Sequence, residues 1–63
     1  MSGLWGVIEF IEHNTIFVDG RRLLITSDSL ITGKLAQGVE IVASVTRADD
    51  GSIKILSLTV RAG

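Results

Sequence analysis

"TIFVDGRRLLIT", residues 15–26, holds the strongest short hairpin signal in the chain. A type I′ turn needs positive φ at both central residues, and Asp19-Gly20 supplies that at little cost. The flanking runs alternate, with Ile16 and Val18 facing the same way as Leu23 and Ile25. Upstream, "LWGVIEFIE" (Leu4–Glu12) forms a first strand ending at His13-Asn14, where asparagine tolerates a left-handed turn. Downstream, "VEIVASVT" (Val39–Thr46) sets Val39, Ile41, Ala43 and Val45 on one face of a fourth strand. Arg47 to Gly51 turn, and "SIKILSLTV" (Ser52–Val60) closes the chain as a fifth strand. Period-two alternation with turn signals at short intervals predicts an all-β chain.

Residues 27–38, "SDSLITGKLAQG", break the alternation. Ser27 or Asp28 offers a cap for a single helical turn, while Gly33 and Gly38 leave little room for a long helix. The segment is therefore predicted to be an irregular or one-turn helical connector between the third and fourth strands. Its Ile31 and Leu35 would plug one end of the structure.

The first and last strands share an irregularity. Gly6 and Ile8 alternate correctly, but the next core candidate is Ile11; likewise Ile53 and Ile55 alternate, and then Leu58 and Val60 do. A three-residue step inside a two-residue period is what a β-bulge produces. Bulged, bent first and last strands let a small sheet close on itself. Closure also hides sheet edges, which this proline-free chain does not otherwise protect. Five strands with a connector between the third and fourth predict a small OB-like barrel. Strand count alone leaves an SH3-like barrel open.

Composition sets the bounds. A 63-residue chain is one domain, residues 1–63, near the size at which only about 60% of the unfolded surface is buried. Stability must come from apolar burial, and 46% hydrophobic residues can supply it. Without cysteine there are no disulfides and no thiolate metal sites. A single histidine without several carboxylate partners does not organise a structural metal, so no metal and no cofactor is predicted. Six basic residues face seven acidic ones, a net charge of −1. Arg21, Arg22, Lys34, Arg47, Lys54 and Arg61 are scattered along the chain, which disfavours a non-specific nucleic-acid binder. No apolar run approaches a membrane span. "MSGLWGVIEF" lacks a basic n-region and a continuous apolar core, so no signal peptide is read and the cytoplasm is the default compartment.

"GVIEFIEHNTIFVDG" (residues 6–20) and "SLITGKLAQGVEIVASVTRADDGSIKILSLTV" (residues 29–60) together resemble the bacterial domain of unknown function 5666. Gly6 and Ile8, Gly20, the Ser29-to-Gly33 connector, Leu35 and Gly38, and Asp50-Gly51 fall in that family's order. Ser29 stands where threonine is usual, and Ile55 where a small residue is common. The resemblance implies a small OB-like barrel, often a module of secreted or envelope proteins, with no established activity and no catalytic residues. "ITSDSLITGKLAQGVEIVA" (residues 25–43) is also similar, more weakly, to the Mop/TOBE molybdate-binding domains. Ile25-Thr26, Ser29, Leu35, Gly38 and Ala43 carry that similarity. It implies an oxyanion held by backbone amides and hydroxyls. Gly33 departs from it, since those domains usually have leucine there.

No nucleophile–base pair can be assembled from the sequence, so no catalytic residue is predicted and the chain reads as a non-enzyme. His13 sits at a turn, Glu9 and Glu12 face opposite sides of a strand unless the bulge intervenes, and Asp49-Asp50-Gly51 lacks the further ligands a calcium site needs. Arg21 and Arg22 follow the Asp-Gly turn, near the face OB barrels use for ligands, and are the candidate ligand contacts. The inner face is predicted to hold Ile8, Ile11, Ile16, Val18, Leu23, Ile25, Ile31, Leu35, Val39, Ile41, Ala43, Val45, Ile53, Ile55, Leu58 and Val60. Trp5, Val7, Phe10, Phe17, Leu24, Val42 and Leu56 are left outside and form the candidate interaction surface. Trp and Phe are the anchors that protein interfaces favour. The expected function is contact with a protein, either self-association into a homo-oligomer or docking on another domain. The alternative is an OB-type domain binding single-stranded nucleic acid or a small oxyanion such as molybdate.

Overall fold

A computed structural model describes residues 2–61. It contains β1 (Ser2–Glu12), β2 (Thr15–Val18), β3 (Arg21–Leu24), β4 (Leu30–Thr32), β5 (Glu40–Arg47) and β6 (Ile53–Arg61). The strands hydrogen-bond in the order β3-β2-β1-β5-β6-β4, and β3 also pairs with β6. That last pairing closes β1, β2, β3, β6 and β5 into an OB-like barrel, with β4 appended to the outer part of β6. The chain is all-β, as the alternation predicts.

The connector differs from the prediction. Its Leu30–Thr32 segment is a short strand, parallel to β6 at Ser57–Thr59, and no helical turn is present among the described residues. β3 occupies β6 only at Ile53 and Lys54, so the far half of that edge still offers unpaired backbone groups. Pairing there satisfies the connector's backbone better than one isolated helical turn, whose end groups find no partners. Thr26 and Ser29, rather than Ser27 or Asp28, fix the preceding turn. The Thr26 N–H donates to Ser29 Oγ at 2.9 Å, and the Ser29 N–H donates to the Thr26 carbonyl at 3.0 Å. The Ser29 hydroxyl donates in turn to the Ile55 carbonyl at 2.5 Å, pinning the connector to β6. The chain then reverses at Gly33, whose φ is 101°. A Cβ there would lie 2.8 Å from Val60 Cβ, so glycine is required twice over.

Both bulges fall where the three-residue steps place them. Ile8 opposes Val18 and Phe10 opposes Phe17, leaving Glu9 as the extra residue of β1. Ser44 opposes Ser57 and Val45 opposes Ile55, leaving Leu56 as the extra residue of β6. The first bulge lets one strand serve two neighbours: Ser2–Val7 pair with β5, and Ile8–Glu12 pair with β2. Gly6 sits at that changeover, where a Cβ would come within 2.6 Å of Val18 Cγ1.

The Asp19-Gly20 turn has φ values of 52° and 77°, both positive as a type I′ hairpin demands. At the β1–β2 turn it is His13, at φ 56°, that takes the left-handed conformation, and not Asn14. Histidine is among the residues that enter this region more readily than most.

Ile8, Ile16, Val18, Leu23, Ile41, Ala43, Val45, Ile55 and Leu58 are buried, and every other predicted inner residue packs against them half-buried. Leu4 joins them, although alternation from Gly6 alone left it unassigned. No polar or charged residue is buried among the described residues, so this core is held by apolar contact alone. Each fully buried aliphatic side chain contributes about 1.5–3 kcal/mol.

Candidate functional site

β1 displays an apolar row on its outer face. Trp5 is 61% exposed, Val7 44% and Phe10 49%. The bulge at Glu9 makes this row: it keeps Phe10 outside while turning Ile11 toward the core. Across the sheet Trp5 opposes Val42 on β5, itself 39% exposed. Phe10 opposes Phe17 on β2, with ring centroids 5.8 Å apart and planes tilted by 50°. Such a tilted pair gains the edge-to-face attraction of two aromatic quadrupoles. Phe17 is only half-buried, so its ring extends the row onto the hairpin.

The seven apolar residues expected outside do not all converge. Leu24 is half-buried on β3 between Thr15 and Lys54, apart from the row. Leu56, the bulged residue of β6, lies near Leu30, which opposes Ser57 and is 71% exposed. Ser44, Ser57 and Thr59 separate these two leucines from Val42 by register. Leu30 escaped the sequence reading because its segment was read as an irregular connector. Only a strand assignment, with Ile31 turned inward, puts Leu30 outward.

The two adjacent arginines part company. Arg22 opposes Phe17 on the outer face. Arg21 shares the inward register of Leu23 and lies one step past it, at the barrel's end. Arg47, one inward step past Val45 on β5, lines the same opening. Together with Ser2, Val45, Thr46 and Ile53 they line an open cavity of about 220 Å³. No alternation signal in the sequence points to the Arg47 partner, since the closure between β3 and β6 brings the two together.

Two acidic residues, Glu9 and Asp50, serve turns. Glu9 accepts the Gly20 N–H at 2.8 Å, so the bulge residue steadies the β2–β3 hairpin. Asp50 accepts the Ser52 hydroxyl at 2.6 Å and the Ser52 N–H at 2.9 Å. These two bonds, the hydroxyl first, hold its carboxyl below the usual aspartate range. His13 is exposed at its turn. Among the described residues no group of His, Asp and Glu is placed to hold a metal, and no helix is long and apolar enough to cross a membrane. Compared with known proteins, the chain matches no family model, no curated protein and no solved structure.

Proposed function

We propose that this chain is a non-enzymatic β-barrel module that acts through protein contact, with self-association as the first case. The observation that carries the reading is the outer row of Trp5, Val7 and Phe10, widened by Val42 and Phe17. A stable interface takes roughly 800 Å² from each partner. That is about a fifth of the 4256 Å² surface of this small chain, so such an interface takes the row as its centre and the surface around it as its rim. Trp and Phe at its centre are the side chains that carry interface energy. The kinship proposed with domain 5666 is compatible with such a module and brings no catalytic residue.

Sedimentation equilibrium across a wide concentration range tests this. The expected result is reversible self-association, weakened at least tenfold by Trp5→Ala or Phe10→Ala. A chain that stays monomeric at the highest concentrations, with both variants indistinguishable from it, overturns self-association. A second reading, a ligand-binding barrel for a small oxyanion or single-stranded nucleic acid, draws support from the paired arginines at the barrel's end.

A further inference from the structure

We propose that the cavity between Arg21 and Arg47 binds a small phosphate-bearing ligand, its phosphate gripped by the two guanidinium groups. This rests on the ligand-binding reading of the barrel and gives it a site and a chemical class.

The argument begins with register. Inside a closed barrel, inward positions belong to the core, and a strand's last inward position forms the rim. At this end the rim positions are Ser2 on β1, Arg21 on β3, Arg47 on β5 and Ile53 on β6. Ser2 opposes Val45, and Ile53 opposes both Arg47 and Leu23. Two arginines from strands distant in sequence thus project over one opening. The whole chain carries only six basic residues and a net charge of −1, so this end concentrates what the rest disperses. Among the described residues no carboxylate lines the cavity; Asp50, in the neighbouring turn, is engaged by Ser52.

Arginine forks match phosphate oxygens in bidentate pairs, and two forks from opposite sides enclose a tetrahedral anion. Ser2, in the inward register of β1, adds a neutral hydroxyl donor to the same lining. Val45 and Ile53 supply an apolar wall, which a bare anion does not use but an organic phosphate does. At about 220 Å³ the space falls below the ~300 Å³ where drug-sized sites begin, so it suits one phosphate and a small attached group.

The test is a titration of the full chain with inorganic phosphate and with phenyl phosphate at constant ionic strength, followed by amide and arginine side-chain NMR. The expected result is saturable shifts confined to Arg21, Thr46, Arg47 and Ile53, with phenyl phosphate binding several-fold tighter. Arg21→Gln and Arg47→Gln should each weaken binding at least tenfold, and Arg21→Lys less, because charge survives without the fork. The same spectra show whether each variant keeps its fold. Saturable binding that persists undiminished in both glutamine variants overturns the site while leaving the ligand-binding reading intact. Absence of saturable binding by either probe overturns the phosphate site and, where molybdate and a single-stranded oligonucleotide also leave the spectra unchanged, the ligand-binding reading with it. Equal affinity for the two probes removes the apolar wall from the proposal.

Discussion

The barrel's two ends are closed by opposite means. At the end where β4 joins β6, the connector folds back and sets Ile25, Ile31, Leu35 and Val39 against the core. Backbone pairing and the Ser29 hydroxyl fasten it there. At the other end, where β5 turns into β6, the inward register runs out into Arg21 and Arg47, and a cavity stays open. A small barrel has little apolar surface to spare, so every aliphatic position spent on a plug adds stability and every charged one forgoes it. The contrast divides labour: the connector end holds the fold, and on the reading proposed above the arginine end is left open for a ligand.

Gly33→Ala breaks the connector end hardest. The new methyl meets Val60 in a backbone conformation that alanine resists, for a loss of about 2–4 kcal/mol. A chain of 63 residues has a total stability of about 3–9 kcal/mol. The midpoint of thermal unfolding should therefore drop by at least about 8 °C, since 1 kcal/mol moves a domain of this size by roughly 4–8 °C. An unchanged melting temperature breaks the claim that this end is rigidly closed. Ser29→Ala comes next, at about 1–2 kcal/mol, because it strands the Thr26 N–H and frees the Ile55 carbonyl. Ser29→Thr keeps the hydroxyl and should lose less. Equal losses for the two variants, measured by urea unfolding, remove the hydroxyl pin from the account.

The connector end is also where the sequence was least legible. Alternation exposed the inner face of every long strand, and the three-residue steps located both bulges, because burial on one face of a strand leaves a period of two in the residues. Leu30–Thr32 spans too few residues to show any period, and its pairing with β6 is a long-range event. The left-handed turn at His13 rests on a choice between two neighbours that either residue type permits. At the arginine end, the sequence marks Arg21 by the turn it follows and by its nearness to the face OB barrels use for ligands. Its meeting with Arg47 depends on how β3 closes onto β6, and sequence spacing carries no trace of that. Trp5, Val7 and Phe10 were legible as leftovers once the core was filled. That Leu24 stands apart from them follows from neighbours, which alternation does not name.

The smallest expected effect belongs to the β5–β6 turn beside the arginines. Asp50 is exposed, yet its bonds from Ser52 favour the charged carboxylate in the folded chain and hold its pKa below the unfolded value. A depressed carboxylate pKa adds stability that is fully present above the unfolded pKa and is lost as pH falls through the folded one. The window therefore opens below about pH 4. Asp50→Asn removes that pH dependence while its side-chain oxygen can still accept from Ser52, so the variant and the parent should differ in the slope of stability against pH between about pH 4 and pH 2 and hardly at all at neutrality. A parallel pair of curves across that range breaks the link between the Ser52 bonds and the charge. A large loss at neutral pH would instead make this turn a structural closure comparable to the connector, and the division of labour between the two ends would fail.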